Sequence, residues 1–115
     1  MVQYSNEAEY YYIDCGQVTR REYIVAMLDV VGKAIFAKYY WEFRREDISL
    51  YYVIEENYSD YSKKKRISHA VSLFRQGLAK EALEMVGRAK KIDPALSAHA
   101  RALYSCEFGE EIELQ

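Results

Sequence analysis

Apolar residues recur at helical spacing along most of this chain. After Thr19, residues Ile24, Leu28, Val31 and Ile35 stand at i, i+4, i+7 and i+11, and Met27 and Ala34 widen the stripe. That period predicts an amphipathic helix. Its start is marked by "TRRE": Thr19 at the cap and Glu22 three places on, the spacing of a capping box. The helix is expected to run to about Lys38, with an extension through "YYWEF" as the longer alternative. From Ser62 the pattern resumes. Ile67, Ala70, Val71 and Phe74 share one face, and Gly77 stands where a helix would end. Ala79, Ala82, Leu83, Val86 and Ala89 make a second stripe. Lys90 and Lys91 fall in its last turn, where cations favour the helix dipole, and Pro94 is the stop. "ALSAHARALYSC" supplies a third helix with Leu96, Ala100, Leu103 and Tyr104 apolar.

Two segments are less regular. "YYYID" at 10–14 has the aromatic and β-branched character of a short strand, followed by "CGQ" as a turn. Residues 48–56 fit either a helix capped by Asp47 or a strand from Ile48 to Ile54 that pairs with 10–14. The expected fold is therefore mainly α: one small helical domain over residues 1–115, ending in a helical hairpin and a further helix. The alternative is α+β, with a short strand pair in the first half. Residues 1–9 are expected to be a flexible arm, 10–58 a Tyr-rich first half, 62–107 the hairpin and third helix, and 108–115 an acidic tail.

The stretch from about Ser62 to Pro94 resembles a single tetratricopeptide repeat. Ala70 matches the family's early small position, Gly77 its turn, Ala82 and Ala89 the small positions of its second helix, and Pro94 its close. His69, Arg66 and Val86 depart from the family's usual Leu and aromatic positions. The resemblance implies two antiparallel helices in close contact at the small side chains, and a groove that binds protein. One such unit cannot bury its apolar face by itself. Either the first half covers that face or another chain does.

Charge is unevenly spread. Residues 1–62 carry net −5, residues 63–101 net +7 and residues 102–115 net −4, against −2 for the whole chain. The strongest basic run is Lys63, Lys64, Lys65 and Arg66. It could contact nucleic-acid phosphates, but acidic residues just upstream (Glu55, Glu56, Asp60) favour pairing within the fold. Eleven of the twelve tyrosines precede Ser62. Adjacent tyrosines on a helix cannot share a face. One of each pair is thus expected at a surface, which makes Tyr39, Tyr40, Trp41, Phe43, Tyr51 and Tyr52 the candidate partner-binding residues.

No phosphate-cradling, metal-ligating or nucleophile motif occurs, and the two histidines and two cysteines are far apart in sequence. No cofactor, metal or catalytic activity is expected, and the cysteines are expected to be reduced and semi-buried. The first residues lack the basic start and apolar core of a secretion signal, and Asp29, Lys33 and Lys38 interrupt the longest apolar stretch. A cytoplasmic location without membrane partners is expected. The function this supports is a non-catalytic protein-binding module: an adaptor, chaperone or inhibitor that binds another protein or forms a homodimer. The alternative is a nucleic-acid-binding regulator that uses residues 63–66.

Overall fold

A computed structural model of the chain describes residues 10–47 and 49–114. The expected arm at 1–9 and Ile48 lie outside the described residues. The fold is mainly helical, with one short antiparallel strand pair near its start. Strands β1 (Tyr11–Ile13) and β2 (Gly16–Val18) form a hairpin in which Tyr11 faces Val18 and Ile13 faces Gly16. The two-residue turn, Asp14 and Cys15, has positive φ at both positions, as tight hairpin turns require. The strand expected at 10–14 is present, but its partner is the adjacent segment and not residues 48–54. Closing a two-residue loop restricts the chain far less than bringing together segments some 40 residues apart. Period-two alternation shows directly in the tyrosine triplet: Tyr11 is buried between exposed Tyr10 and Tyr12.

Helix α1 (Arg20–Val31) starts at the predicted capping box. Thr19 Oγ1 accepts from Glu22 N, and Thr19 N donates to Glu22 Oε1. The helix does not continue to Lys38. It stops at Gly32, whose φ of 91° and ψ of 123° break the helical path, and α2 (Lys33–Lys38) leaves in a new direction. A second break at Tyr39 (φ −112°, ψ 28°) separates α3 (Tyr40–Arg45). Within the ambiguous segment a short α4 (Leu50–Val53) is helical and Ile54 to Glu56 are not, and the residue at its cap position is Ser49 rather than the expected Asp47.

Three longer helices follow: α5 (Asp60–Arg75), α6 (Ala79–Arg88) and α7 (Pro94–Phe108). Gly77 sits at the α5–α6 turn with φ of 73°. Helix α6 is shorter than its stripe predicts. Ala89 has left the helix, so Lys90 and Lys91 lie beyond it. The cause lies in α7: Ser97 Oγ donates to Ala89 O (2.9 Å) and Arg101 Nη1 donates to Gly87 O (2.8 Å). These side chains satisfy carbonyls that the helix end leaves without partners. Pro94 is the first residue of α7, with Asp93 as its cap, a favoured place for proline.

The core joins both halves. α1 packs on α5, α2 packs on α7 and α6, and the most extensive helix pairing is between α6 and α7. The apolar face of the C-terminal helices is thus covered from within the chain. Phe36, Tyr40, Phe43 and Phe74 form an aromatic cluster at the centre, with ring centroids 5.0–6.4 Å apart. On α5 the fully buried residues are Ala70 and Leu73, while Ile67, Val71 and Phe74 are half-buried. Ala82 is fully buried as expected; Ala89 is only half-buried. Among the described residues no helix is long and apolar enough to cross a membrane.

Candidate functional site

The sequence-predicted aromatic residues divide sharply. Tyr39, Tyr40 and Phe43 are core residues, 6%, 1% and 0% exposed. They cannot form the expected surface patch. The one-face rule for adjacent tyrosines fails at Tyr39 and Tyr40 because the helix breaks between them, and each ring turns inward on its own segment. Tyr39 OH donates to Glu56 Oε1 (2.7 Å) and accepts from Glu55 N (3.0 Å), so the ring is buried and its tip is satisfied. Trp41 is half-buried against Tyr40, with the Arg44 guanidinium 5.8 Å from its ring centre. Burial pushes the Tyr40 phenol well above its ordinary pKa, and the nearby Glu107 carboxylate adds to the effect. Arg44 Nε lies 2.8 Å from Glu107 Oε2. It lacks the alignment of a hydrogen bond, so the attraction is one of charge.

Of Tyr51 and Tyr52 one is exposed, as expected, and the other half-buried, but their rings meet on one side of the short α4. They form one wall of an open groove of about 720 Å³ between α4 and α5. Leu50, Ile67 and Val71 provide an apolar floor, and Ser68 lies on the rim. Each end carries charge of both signs. At one end Tyr51 OH donates to Asp60 Oδ1 (2.5 Å), and Lys64 Nζ lies 3.2 Å from Asp60 Oδ2. Those contacts hold the Asp60 carboxyl below its ordinary pKa, the Tyr51 hydrogen bond being the largest cause. At the other end Arg75 pairs with Glu46. Asp47 Oδ1 accepts from the Ser49 hydroxyl (2.7 Å) and from Ser49 N (2.9 Å), fixing the turn into α4. Tyr51 is held further by Lys63, 4.6 Å from its ring centre. Tyr52 meets Tyr51 edge-on, with ring centroids 5.3 Å apart, and is otherwise open to solvent at the lip, 83% exposed. The groove thus combines an apolar floor, an aromatic wall and charges at either end.

The basic run does not form one patch. Successive residues of α5 point around the helix. Lys63 sits over Tyr51, Lys64 pairs with Asp60, and Lys65 lies 5.7 Å from the Tyr61 ring centre. Arg66 stacks on Tyr58 at 3.9 Å and donates from Nη1 to Val31 O (2.9 Å), closing the end of α1. Of the acidic neighbours expected to pair with the run, Asp60 does so, whereas Glu56 pairs with Lys38. Cys15 and Cys106 are free thiols, and both are exposed rather than semi-buried. Among the described residues no group of three or more His, Cys, Asp or Glu side chains is placed to hold a metal ion.

Sequence reasoning missed Glu46, Ser68 and Arg75 as site residues. Ile67 and Val71, assigned to the core face, do pack against the core, and they line the groove floor as well. The available signal was the width of the α5 stripe: Ile67, Val71 and Phe74 lie off the line of Ala70 and Leu73, enough for two neighbours instead of one. Comparisons with known protein families, with curated proteins and with solved structures find no match to this chain.

Proposed function

We propose that the chain is a non-catalytic protein-binding module that takes an amphipathic segment of its partner into the α4–α5 groove. The observation that carries this reading is the pair formed by an exposed Tyr52, edge-on against a pinned Tyr51, over an apolar floor. Aromatic side chains at the edge of a desolvated pocket are the common anchors of protein interfaces. The groove's carboxylates are engaged by Tyr51, Lys64, Ser49 and Arg75, which suits them to orienting a bound segment rather than to proton transfer. The basic run weighs toward a protein and not a nucleic acid, because its cations are spread around α5 and partnered within the fold.

The test is quantitative capture from the native host by wild type, Tyr52→Ala and Ser68→Arg, with Ala98→Arg, at an exposed position of α7, as control. A true partner is recovered with wild type and the control. The groove variants should weaken it at least tenfold, about 1.4 kcal/mol. Equal capture by all four chains would rule the groove out. Steep salt-dependent binding to DNA or RNA would favour the nucleic-acid alternative instead.

A further inference from the structure

Gly87 stands in the last turn of α6, one residue before its end, in a helix otherwise built from good helix formers. Glycine weakens a helix there, because its backbone loses more freedom on folding than that of any other residue. The structure supplies a reason. A β-carbon at position 87 would lie 2.6 Å from Ile112 Cδ1 and 3.0 Å from Arg101 Cγ. Gly87 is therefore the floor of a notch, Arg101 is one wall, and Ile112 fills it. Arg101 is fixed in place by its hydrogen bond to Gly87 O.

The segment that brings Ile112 there is the acidic tail. Helix α7 ends at Gly109, in the left-handed conformation with φ of 68°. The chain then turns back over the α6–α7 surface. Lys80 Nζ meets Glu110 Oε2 at 2.5 Å, and that contact raises the Lys80 pKa. Two residues further on, Ile112 packs against the core. Glu111, Glu113 and Leu114 are exposed. Among the described residues no backbone hydrogen bond ties 110–114 to the helices. The tail is held by one side chain in a notch and by one ion pair whose two members are 46% and 58% exposed, an arrangement that salt weakens. At the contact itself the charges are complementary: the Lys80 ammonium faces the Glu110 carboxylate.

We propose that the Gly87–Arg101 notch, together with Lys80 two turns earlier on α6, is a docking site for an acidic peptide segment of another protein. That segment carries an aliphatic anchor two residues after a glutamate. The chain's own Gly109–Leu114 segment occupies the site in cis and keeps it closed. A tethered segment acts at an effective concentration of the order of millimolar, so an outside segment succeeds only with further contacts or once the tail is drawn away. The site shares no residue with the α4–α5 groove and does not rest on that groove's function.

The experiment uses the full chain. Ile112→Asp empties the notch without removing the tail, and circular dichroism checks that helix content is kept. A fluorescently labelled peptide GEEIEL is then titrated by anisotropy. Binding to Ile112→Asp is expected to be at least tenfold tighter than to wild type, where the tail competes. The peptide GEEDEL should bind at least tenfold more weakly than GEEIEL. Adding Gly87→Leu should block the site. Should that double variant fail to fold, Lys80→Glu in the Ile112→Asp background gives the second arm: weaker binding of GEEIEL, recovered with GKEIEL. Folded Ile112→Asp that binds GEEIEL no better than wild type, or no better than GEEDEL, overturns the proposal. So does a wild-type dimer that dissociates on Ile112→Asp, which would place the tail in a second copy.

Discussion

Gly32 decides the direction of the first half, and its neighbours show why no other residue fits. Its φ of 91° lies where a side chain is strained. An added β-carbon would also stand 3.2 Å from Arg66 Nη1, the atom that donates to Val31 O. Gly32→Ala thus strains the backbone and crowds the guanidinium that closes α1. A loss of about 1–3 kcal/mol is expected in urea denaturation, and an unchanged midpoint would show that the turn relaxes freely. The sequence hides this break because the apolar spacing runs straight through it. Val31 and Ile35 are four apart whether or not the helix bends between them. Tyr39 and Tyr40 are hidden for the same reason: the face rule presupposes one continuous helix, and these residues straddle two.

At the scale of elements, the ends are legible where a side chain near in sequence makes them. Thr19 and Glu22 are such a case, and the capping box is formed. Thr19→Ala should cost about 1 kcal/mol. Thermal unfolding should register it, and Thr19→Ser should recover most of the loss. Ends made by distant residues are not legible. Helix α6 stops at Arg88 because Ser97 and Arg101 reach back from α7, and nothing in the α6 stripe announces them. The groove is illegible for a related reason. Tyr51 and Tyr52 could be singled out from sequence, but the floor they overhang exists only once α4 lies against α5.

Across the whole molecule, acid should undo several local arrangements together. Glu22, Asp47 and Asp60 have carboxyls held below their ordinary pKa, chiefly by Thr19 N, the Ser49 hydroxyl and the Tyr51 phenol respectively. For Glu56 burial acts upward, but hydrogen bonds from Lys38 and Tyr39 outweigh it and the net shift is down. A group with a lowered folded pKa contributes stability that is complete above its unfolded value, about 3.9 for Asp and 4.3 for Glu. That stability is lost as pH falls through the folded value. Denaturant midpoints should be steady down to about pH 5 and fall below about pH 4. Glu56→Gln should make the acid limb shallower. A flat profile from pH 7 to pH 3 would contradict this.

The dependence of the first half on the last helices also has a consequence during synthesis. Arg20 donates to Glu81, 61 positions later, and α2 rests on α7, later still. At roughly 5–20 residues per second, that gap is ~3–12 s of translation. Through that interval Phe36 and Tyr40 have no completed pocket and are open to whatever binds nascent apolar chain. Helices α6 and α7 are neighbours in sequence and need no such wait. The ribosome thus releases the aromatic-rich half first and the half that shelters it last.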